Sequence, residues 1–293
     1  MTSSPISSLR RTRTAGHTIS RRFGGATSAV GLAAWIVVIA MVALTVIGPF
    51  VVPISPLLQG EHPLLPLGSA GHLLGTDDLG RDELARLLVG GRPLIGIALS
   101  STLLAGTIGT AVGLVAGYVG GWFDQLLMRC TDLVLAFPSL LLIILLVSVT
   151  GPGPLPLVVG ITIAMAPSFA RLTRATTSRE AARDYVASAD LAGTRAPRIM
   201  VVEILPNIVG PLLVQAMTTI SVAAGFSAGM SYIGLGIQPP QADWGYMVQA
   251  GQQFVYSDAS LILLPAICTL LFVVACNFVG DDLRDRFDHR RAV

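Results

Sequence analysis

Stretches without a charged residue divide the chain into segments of membrane length. There are five such runs, at residues 23–60, 93–123, 133–170, 204–242 and 259–280. Each is longer than the roughly 20 apolar residues that cross a bilayer as a helix. The run at 133–170 would measure about 57 Å as one helix, and residues 151–154 in its middle read GPGP, which breaks helices. The pattern therefore predicts that this run holds two helices and the chain six.

The six predicted helices occupy residues 29–50, 94–118, 126–149, 155–171, 210–232 and 259–280. An even number of crossings places both termini on the same side of the membrane. Arginines indicate which side, because positive residues concentrate at the cytoplasmic flanks of spans. With the N-terminus inside, 16 arginines are cytoplasmic and 3 are outside. The expected topology is therefore N-in and C-in.

The expected fold class is an all-α integral membrane protein. Its predicted parts are a cytoplasmic basic tail (1–28), a first transmembrane helix (29–50), an extracytoplasmic loop (51–93), a five-helix core (94–281) with a cytoplasmic loop at 172–208, and a cytoplasmic tail (282–293). The arginines between Arg10 and Arg22 are expected to lie on anionic lipid.

Composition excludes several classes of function. Only 12% of the 293 residues are charged, against about 25% in an average soluble domain, which argues against a soluble enzyme. Every basic residue other than histidine is arginine. Without lysine the chain has neither a P-loop nor a lysine base or Schiff base. A net charge of +2 and 6% aromatic residues argue against nucleic-acid binding.

The predicted spans hold no ionisable residue at mid-depth, where carriers coupled to ions usually have one. The nearest charges are Arg129 and Asp132, three residues apart at the cytoplasmic end of the third predicted helix. Their spacing predicts that they neutralise one another on one helix face. The alternative is a gate or a contact to a partner subunit.

Two predicted helices carry packing signals. Gly109, Gly113 and Gly117 form a small-residue series that lets another helix approach closely. Pro138 removes a backbone hydrogen bond in the third predicted helix and is expected to bend it.

Candidate catalytic or metal-binding groups are sparse. Cys130, Cys268 and Cys276 lie in apolar stretches and are expected to be buried apolar residues. His62 and His72 share the outside loop but lack metal-site spacing. No nucleophile–base pair is found in the helices. We therefore expect neither a catalytic residue nor a bound metal in this chain.

The cytoplasmic loop is long and rich in arginine. Its segment DYVASADLAG predicts a short helix that ends at Gly193. This loop is either a solvated positive-inside loop or a docking element for a cytoplasmic partner. The stretch from Asp184 to Pro206 and beyond resembles the coupling loop of ATP-binding-cassette importer permeases, whose signature is E-A-A-x-x-x-G followed about ten residues later by I-x-L-P. Gly193 matches the glycine, and Leu205 with Pro206 matches the closing pair.

The first part of the signature is degenerate in this chain. The E-A-A triplet falls on Ala187, Ser188 and Ala189, so two of its three positions differ from the pattern. Glu203 stands where isoleucine is usual. A literal EAA at 180–182 is out of register with Gly193, and we expect it to play no part in the motif.

Four further segments resemble permeases of the dipeptide/oligopeptide importers, the last two pointing to the C-type subunit. They are HLLGTDDLGRDELARLLVGGR (72–92), GYVGGWFDQLLMRCTDLVLAFPSLLL (117–142), SYIGLGIQPPQADWGYMV (231–248) and GDDLRDRFDHR (280–290).

The resemblance implies the type I importer permease fold, a bacterial inner-membrane location, and an assembly of several chains. The partners it implies are a B-type permease, two cytoplasmic P-loop ATPases and an extracytoplasmic substrate-binding protein. ATP and Mg would be bound by the ATPases and no cofactor by this chain. The implied ATPase-coupling residues are Asp184, Tyr185, Ala187, Ser188, Ala189, Gly193, Leu205, Pro206 and Asn207. The implied extracytoplasmic motif is His72, Gly75, Thr76, Asp77, Gly80, Arg81 and Asp82.

The implied transport function leaves two questions open. Asp77, Asp78, Arg81 and Asp82 either orient the outside loop or contact the binding protein. The implied cargo is a short peptide; nickel, glutathione or an oligosaccharide are alternatives on the same scaffold. A rival from another class is an ATP-independent channel or facilitator.

Overall fold

The computed structural model describes residues 29–52 and 54–291, so the basic tail at 1–28 and its expected lipid contact lie outside the described residues. Within these residues the chain is helical, with two isolated β-bridges in the outside loop. The helices are α1 (Ala29–Val51), α2 (Glu83–Val119), α3 (Gly121–Leu135), α4 (Ser139–Thr150), α5 (Pro154–Ala181), α6 (Asp184–Leu191), α7 (Ala196–Tyr232), α8 (Trp244–Gly251) and α9 (Ser260–Arg291).

The second transmembrane helix begins earlier than residue 94, the expected start. The Asp82 carboxylate accepts a hydrogen bond from the Ala85 backbone N–H at 2.7 Å and so starts α2 at Glu83. Arg92 lies inside the helix and donates to the carbonyl oxygens of Thr45 and Val46 at 2.7 and 2.9 Å. The expected start at 94 followed from Arg92, the charged residue that ends the apolar run, but the helix continues through the charged residues back to Glu83.

Two other helices also run past their expected ends. α5 continues to Ala181 instead of 171, and α9 continues to Arg291 instead of 280. Their added turns are polar and carry several arginines. Because a charge-free run measures only the hydrocarbon-spanning part, it cannot report such polar extensions.

The third predicted helix is broken in two. α3 and α4 meet at an angle of 81°, and Pro138 occupies the N-cap position of α4. The bend expected at Pro138 is therefore confirmed, as a complete interruption. α4 has 12 residues, about 18 Å of helix.

The glycine series in α2 packs against α5, as expected. A Cβ atom on Gly113 would lie 2.5 Å from the carbonyl oxygen of Ala170, and one on Gly117 would lie 2.7 Å from that of Arg174. Only glycine allows the two backbones to come this close. The same two helices contribute Leu94, Leu157 and Ile161 to the buried apolar core.

The charges on α3 pair with α5, which corrects the expected Arg129–Asp132 pair. Asp132 instead contacts Arg171 at 2.6 Å. One turn further along α5, Arg174 forms two hydrogen bonds to Asp124, at 2.6 and 2.5 Å. Although Arg129 and Asp132 have the i,i+3 spacing of a pair, the acids of α3 pair with arginines of α5. Spacing within one helix does not reveal such partners. Cys130, also on α3, is exposed, whereas we expected it to be buried.

Candidate functional site

The segment that resembles a coupling loop forms the short helix α6 between α5 and α7. Arg183 adopts an extended conformation between the end of α5 and the start of α6. Only the four residues 192–195 separate α6 from α7. The predicted loop of 172–208 is therefore mostly helix, and α6 is held closely at both ends.

Gly193 ends α6 in the left-handed conformation that its position predicts, with φ of 77°. Its backbone N–H donates to the carbonyl oxygen of Asp190 at 2.9 Å, and that of Thr194 donates to Ala189 at 3.1 Å. These two bonds form a Schellman motif, which satisfies carbonyl groups at the helix end. Apart from its neighbours in the chain, none of the described residues has an atom within 4 Å of the position that a Cβ of Gly193 would take.

One face of α6 is exposed and the other is anchored. Ala187 and Ser188, in the register of the E-A-A triplet, are exposed, and Leu191 is 90% exposed. Val186 faces inward and is buried, while Ala189 is half-buried beside it. The exposed face therefore consists of uncharged side chains, and the exposed acids Asp184 and Asp190 lie beside it.

The anchor is an apolar cluster that we call the lower cluster. It consists of Leu114, Val186, Ile199, Ile204 and Ile208, with Tyr185 and Leu205 packed against it. Its members come from α2, α6 and α7. Burial of these side chains holds α6 against the helices that cross the membrane.

The closing pair of the signature follows a widened turn of α7. Residues Ile199–Ile204 form a π-helical segment, and the Leu205 N–H bonds to the carbonyl oxygen of Met200. Pro206 comes next and lacks a backbone N–H, so a local change of helical pitch accommodates it. Leu205 is half-buried in the lower cluster, whereas Pro206 and Asn207 are exposed.

Glu180 is a residue that sequence reasoning missed. It belongs to the literal EAA at 180–182, which lies in the last turn of α5 and not on α6, out of register as expected. Yet Glu180 is only 6% exposed. It accepts a hydrogen bond from the Tyr185 hydroxyl at 3.0 Å and pairs with Arg183 at 3.1 Å. A glutamate five residues before a tyrosine is a weak signal on its own, because only the turn between α5 and α6 brings them together.

The extracytoplasmic motif centres on the buried carboxylate of Asp77. One oxygen accepts hydrogen bonds from the backbone N–H groups of Leu79 and Arg81, both at 2.9 Å. The other contacts the guanidinium groups of Arg81 at 2.6 Å and Arg86 at 3.2 Å. Both arginines are at most 5% exposed. These side chains therefore face into the loop, and Asp78 is the more exposed member of the group.

The remaining motif residues fasten the same loop. His72 contacts Asp82 at 2.8 Å. The Thr76 hydroxyl donates to the His62 carbonyl oxygen at 2.8 Å and accepts from the Leu65 N–H at 2.9 Å. Gly75 and Gly80 have positive φ values of 79° and 72°. This geometry favours orientation of the loop as the role of the motif side chains.

Another buried acid, Asp243, was not predicted. It caps the N-terminus of α8 by accepting a hydrogen bond from the Tyr246 N–H at 3.1 Å, yet it is fully buried. The Ser231 hydroxyl and the Gly245 N–H also interact with its carboxyl group and favour the charged form. Burial raises the pKa of the Asp243 carboxyl from 3.8 to about 6.

Comparisons with known proteins agree with the resemblance drawn from the motifs. Residues 109–293 match the family described as binding-protein-dependent transport system inner membrane component. The di/tripeptide transport system permease protein DppC of Pseudomonas aeruginosa (strain UCBPP-PA14) is 39% identical over 246 residues, which are 82% of this chain and 81% of that protein. DppC of Escherichia coli (strain K12) is 38% identical over 257 residues, 86% of each chain. The glutathione transport system permease protein GsiD of Pectobacterium atrosepticum is 33% identical over 260 residues, 88% of this chain and 86% of that protein.

The fold is shared with a chain of the methionine ABC transporter MetNI, solved in inward-facing conformations. The TM-score is 0.55 at 18% identity, covering 67% of this chain and 93% of that one. Among the described residues, five helices are long and apolar enough to cross a membrane, or six if α3 and α4 form one span. The protein is a multi-pass protein of the bacterial inner membrane. It belongs to the family of inner membrane components of binding-protein-dependent transport systems.

Proposed function

We propose that this chain is the C-type permease subunit of an ATP-driven importer of short peptides. It forms half of the pore, with a B-type permease as the other half. Two cytoplasmic P-loop ATPases bind ATP and Mg and supply the energy, and an extracytoplasmic binding protein delivers the peptide. In this assignment the chain itself is not an enzyme and binds no cofactor.

The observation that carries the proposal is the construction of α6. This helix presents an exposed face around Ala187, Ser188 and Leu191, while the lower cluster and the Gly193 cap fix its other side. A rigid, outward-facing helix joined to membrane-spanning helices suits the transfer of motion from an ATPase. An ATP-independent channel has no need of such a device.

The curated relatives support a peptide cargo, since several are named as dipeptide or di/tripeptide permeases. Glutathione is a second candidate, because the GsiD relative is named as a glutathione permease at 33% identity. Glutathione is itself a small peptide derivative, so both candidates have a peptide backbone and terminal charges.

The test is purification of the tagged chain with its partners from native membranes, followed by reconstitution into liposomes. Mass spectrometry is expected to identify a second permease, P-loop ATPases and a peptide-binding protein. Uptake of a labelled dipeptide is expected with ATP and not with ADP. Competition with unlabelled glutathione ranks the two cargoes. Uptake by this chain alone without ATP would establish the channel instead.

A further inference from the structure

A chain of polar side chains joins three helices at the base of α6. Glu180 comes from the last turn of α5, Tyr185 from the first turn of α6 and Asn207 from α7. The Tyr185 hydroxyl donates to Glu180 Oε2 at 3.0 Å. Asn207 Nδ2 donates to the same hydroxyl at 3.3 Å and to the Glu203 carbonyl oxygen at 2.7 Å. We call Glu180, Tyr185 and Asn207 the polar strut.

The burial of Glu180 shows that the polar strut is built into the fold. A carboxylate that is 6% exposed must be compensated by hydrogen bonds or opposite charge. Glu180 has both, in the Tyr185 hydroxyl and in Arg183 at 3.1 Å. Removal of the Tyr185 hydroxyl would leave Glu180 Oε2 with the exposed Arg183 guanidinium, so the buried carboxylate would be compensated less well.

The direction of each bond follows from the protonation of Tyr185. Burial and the hydrogen bond to Glu180 both raise the pKa of the Tyr185 hydroxyl above its ordinary value of 10.0. The hydroxyl is therefore protonated at physiological pH, when it donates to Glu180 and accepts from Asn207. The tyrosine thus links α5 to α7 through a single oxygen atom.

The polar strut and the lower cluster hold α6 in different ways. Apolar contacts such as those of Val186 are not directional, so they hold α6 against the cluster without defining its orientation as strictly as hydrogen bonds do. Hydrogen bonds depend on angle as well as distance and fix orientation. With both in place, α6 is held in position and in orientation against the ends of α5 and α7.

We propose that the polar strut transmits displacement of α6 to α5 and α7, so that Glu180, Tyr185 and Asn207 are positioning residues for coupling between ATP hydrolysis and transport. The proposal rests on the proposed function. It also gives the EAA at 180–182 a role inside the chain, distinct from the exposed positions of Ala187 and Ser188.

The test uses the complete reconstituted transporter and measures peptides imported per ATP hydrolysed. Tyr185→Phe removes one hydroxyl and keeps the ring that packs on the lower cluster. We expect this ratio to fall roughly fivefold, the effect of one lost hydrogen bond. ATPase subunits should still co-purify in wild-type amounts, because the exposed face of α6 is unchanged.

Two further variants separate positioning from general loss of structure. Glu180→Gln keeps an oxygen that accepts from Tyr185 and should retain a ratio within twofold of wild type, whereas Glu180→Ala should behave like Tyr185→Phe. The matched control is Ser178→Ala. It removes a hydroxyl two residues from Glu180 whose bond, 3.2 Å to the Gly117 carbonyl oxygen, leads to α2. Its ratio should be unchanged.

The outcomes distinguish failure of this proposal from failure of the proposed function. If the wild-type assembly shows no ATP-dependent uptake, the proposed function is wrong, and the proposed role of the polar strut is wrong as well. If wild type is coupled and Tyr185→Phe imports as many peptides per ATP, the polar strut alone is overturned. Loss of the ATPase subunits from the Tyr185→Phe assembly also overturns it, because the residue then serves assembly.

Discussion

Two buried acids, Asp77 and Asp243, differ in the groups that compensate their carboxylates. Asp77 is compensated by two arginines and two backbone N–H groups. The partners of Asp243 are uncharged: the backbone N–H groups of Tyr246 and Gly245 and the Ser231 hydroxyl. The first arrangement stabilises a charge, whereas the second favours the neutral acid.

The raised pKa of Asp243 predicts that its contribution to the free energy of unfolding is larger at acid pH than at neutral pH. Its pKa of about 6 lies above the ordinary 3.8, so the folded state binds the proton more tightly than the unfolded state. Stability from this group therefore falls as pH rises from about 4 to above 6, by about 3 kcal/mol in total. Asp243→Asn should raise the Tm of the detergent-purified protein by several degrees at pH 8 and change it little at pH 4.

A change of equal size at both pH values would contradict this expectation, because it would not depend on ionisation. Asp190→Asn is the control, since Asp190 is exposed on α6. Its Tm should follow the wild-type pH profile.

Two substitutions of Gly193 distinguish the effect of an added charge from the effect of backbone strain at its positive φ. Asn and Asp both tolerate positive φ better than other non-glycine residues. Gly193→Asn should therefore keep ATP-driven uptake within about threefold of wild type. Gly193→Asp adds a negative charge beside the exposed face of α6 and should abolish uptake while the protein still inserts. Uptake assays and membrane immunoblots measure both, and normal uptake by the Asp variant would refute the assignment of this face to ATPase docking.

At the scale of elements, the close contact between α2 and α5 depends on glycines, which have no side chain at the contact. Gly113→Ala would place a Cβ 2.5 Å from the Ala170 carbonyl oxygen, and we expect a loss of about 1–3 kcal/mol. Around Gly96 on the same helix, the part of the chain that the structure describes has no atom of another element within 4 Å of the Cβ position. Gly96→Ala should therefore leave stability unchanged or slightly higher. Thermal unfolding of both variants checks this, and equal effects would contradict the packing described for Gly113.

The order of the membrane-length segments could be predicted from the sequence because hydrocarbon demands long charge-free runs, and their number agrees if α3 and α4 form one span. The packing glycines and the αL cap at Gly193 were also predictable, since each follows from a local requirement. The start of α2 was placed eleven residues late because its capping residue, Asp82, lies in a charged stretch. Local patterns do not report a cap outside the apolar run.

The Arg129–Asp132 pair and the role of Glu180 could not be predicted for a different reason. Each depends on which helices lie side by side after folding. Asp132 meets Arg171, 39 residues away, and Asn207 reaches Tyr185, 22 residues away. Spacing within one helix gives no information about such partners.

At the scale of the whole molecule, the arginine distribution predicts that α3 lies on the cytoplasmic side. Cys130 is exposed on α3, whereas Cys276 is buried and Cys268 partly so. A membrane-impermeant maleimide should therefore label this protein in inside-out vesicles and not in right-side-out vesicles. The signal should disappear in Cys130→Ser. Labelling of Cys130 in right-side-out vesicles would contradict the proposed topology and indicate the opposite orientation.

The outside loop between α1 and α2 is held by the Asp77 ion pairs, the His72–Asp82 contact and backbone hydrogen bonds. Residues 52–82 contain no cysteine. The loop therefore reaches its shape without thiol oxidation and keeps it whether its surroundings are oxidising or reducing. Reductants such as dithiothreitol should leave it intact, and its maturation requires no disulfide-forming enzyme.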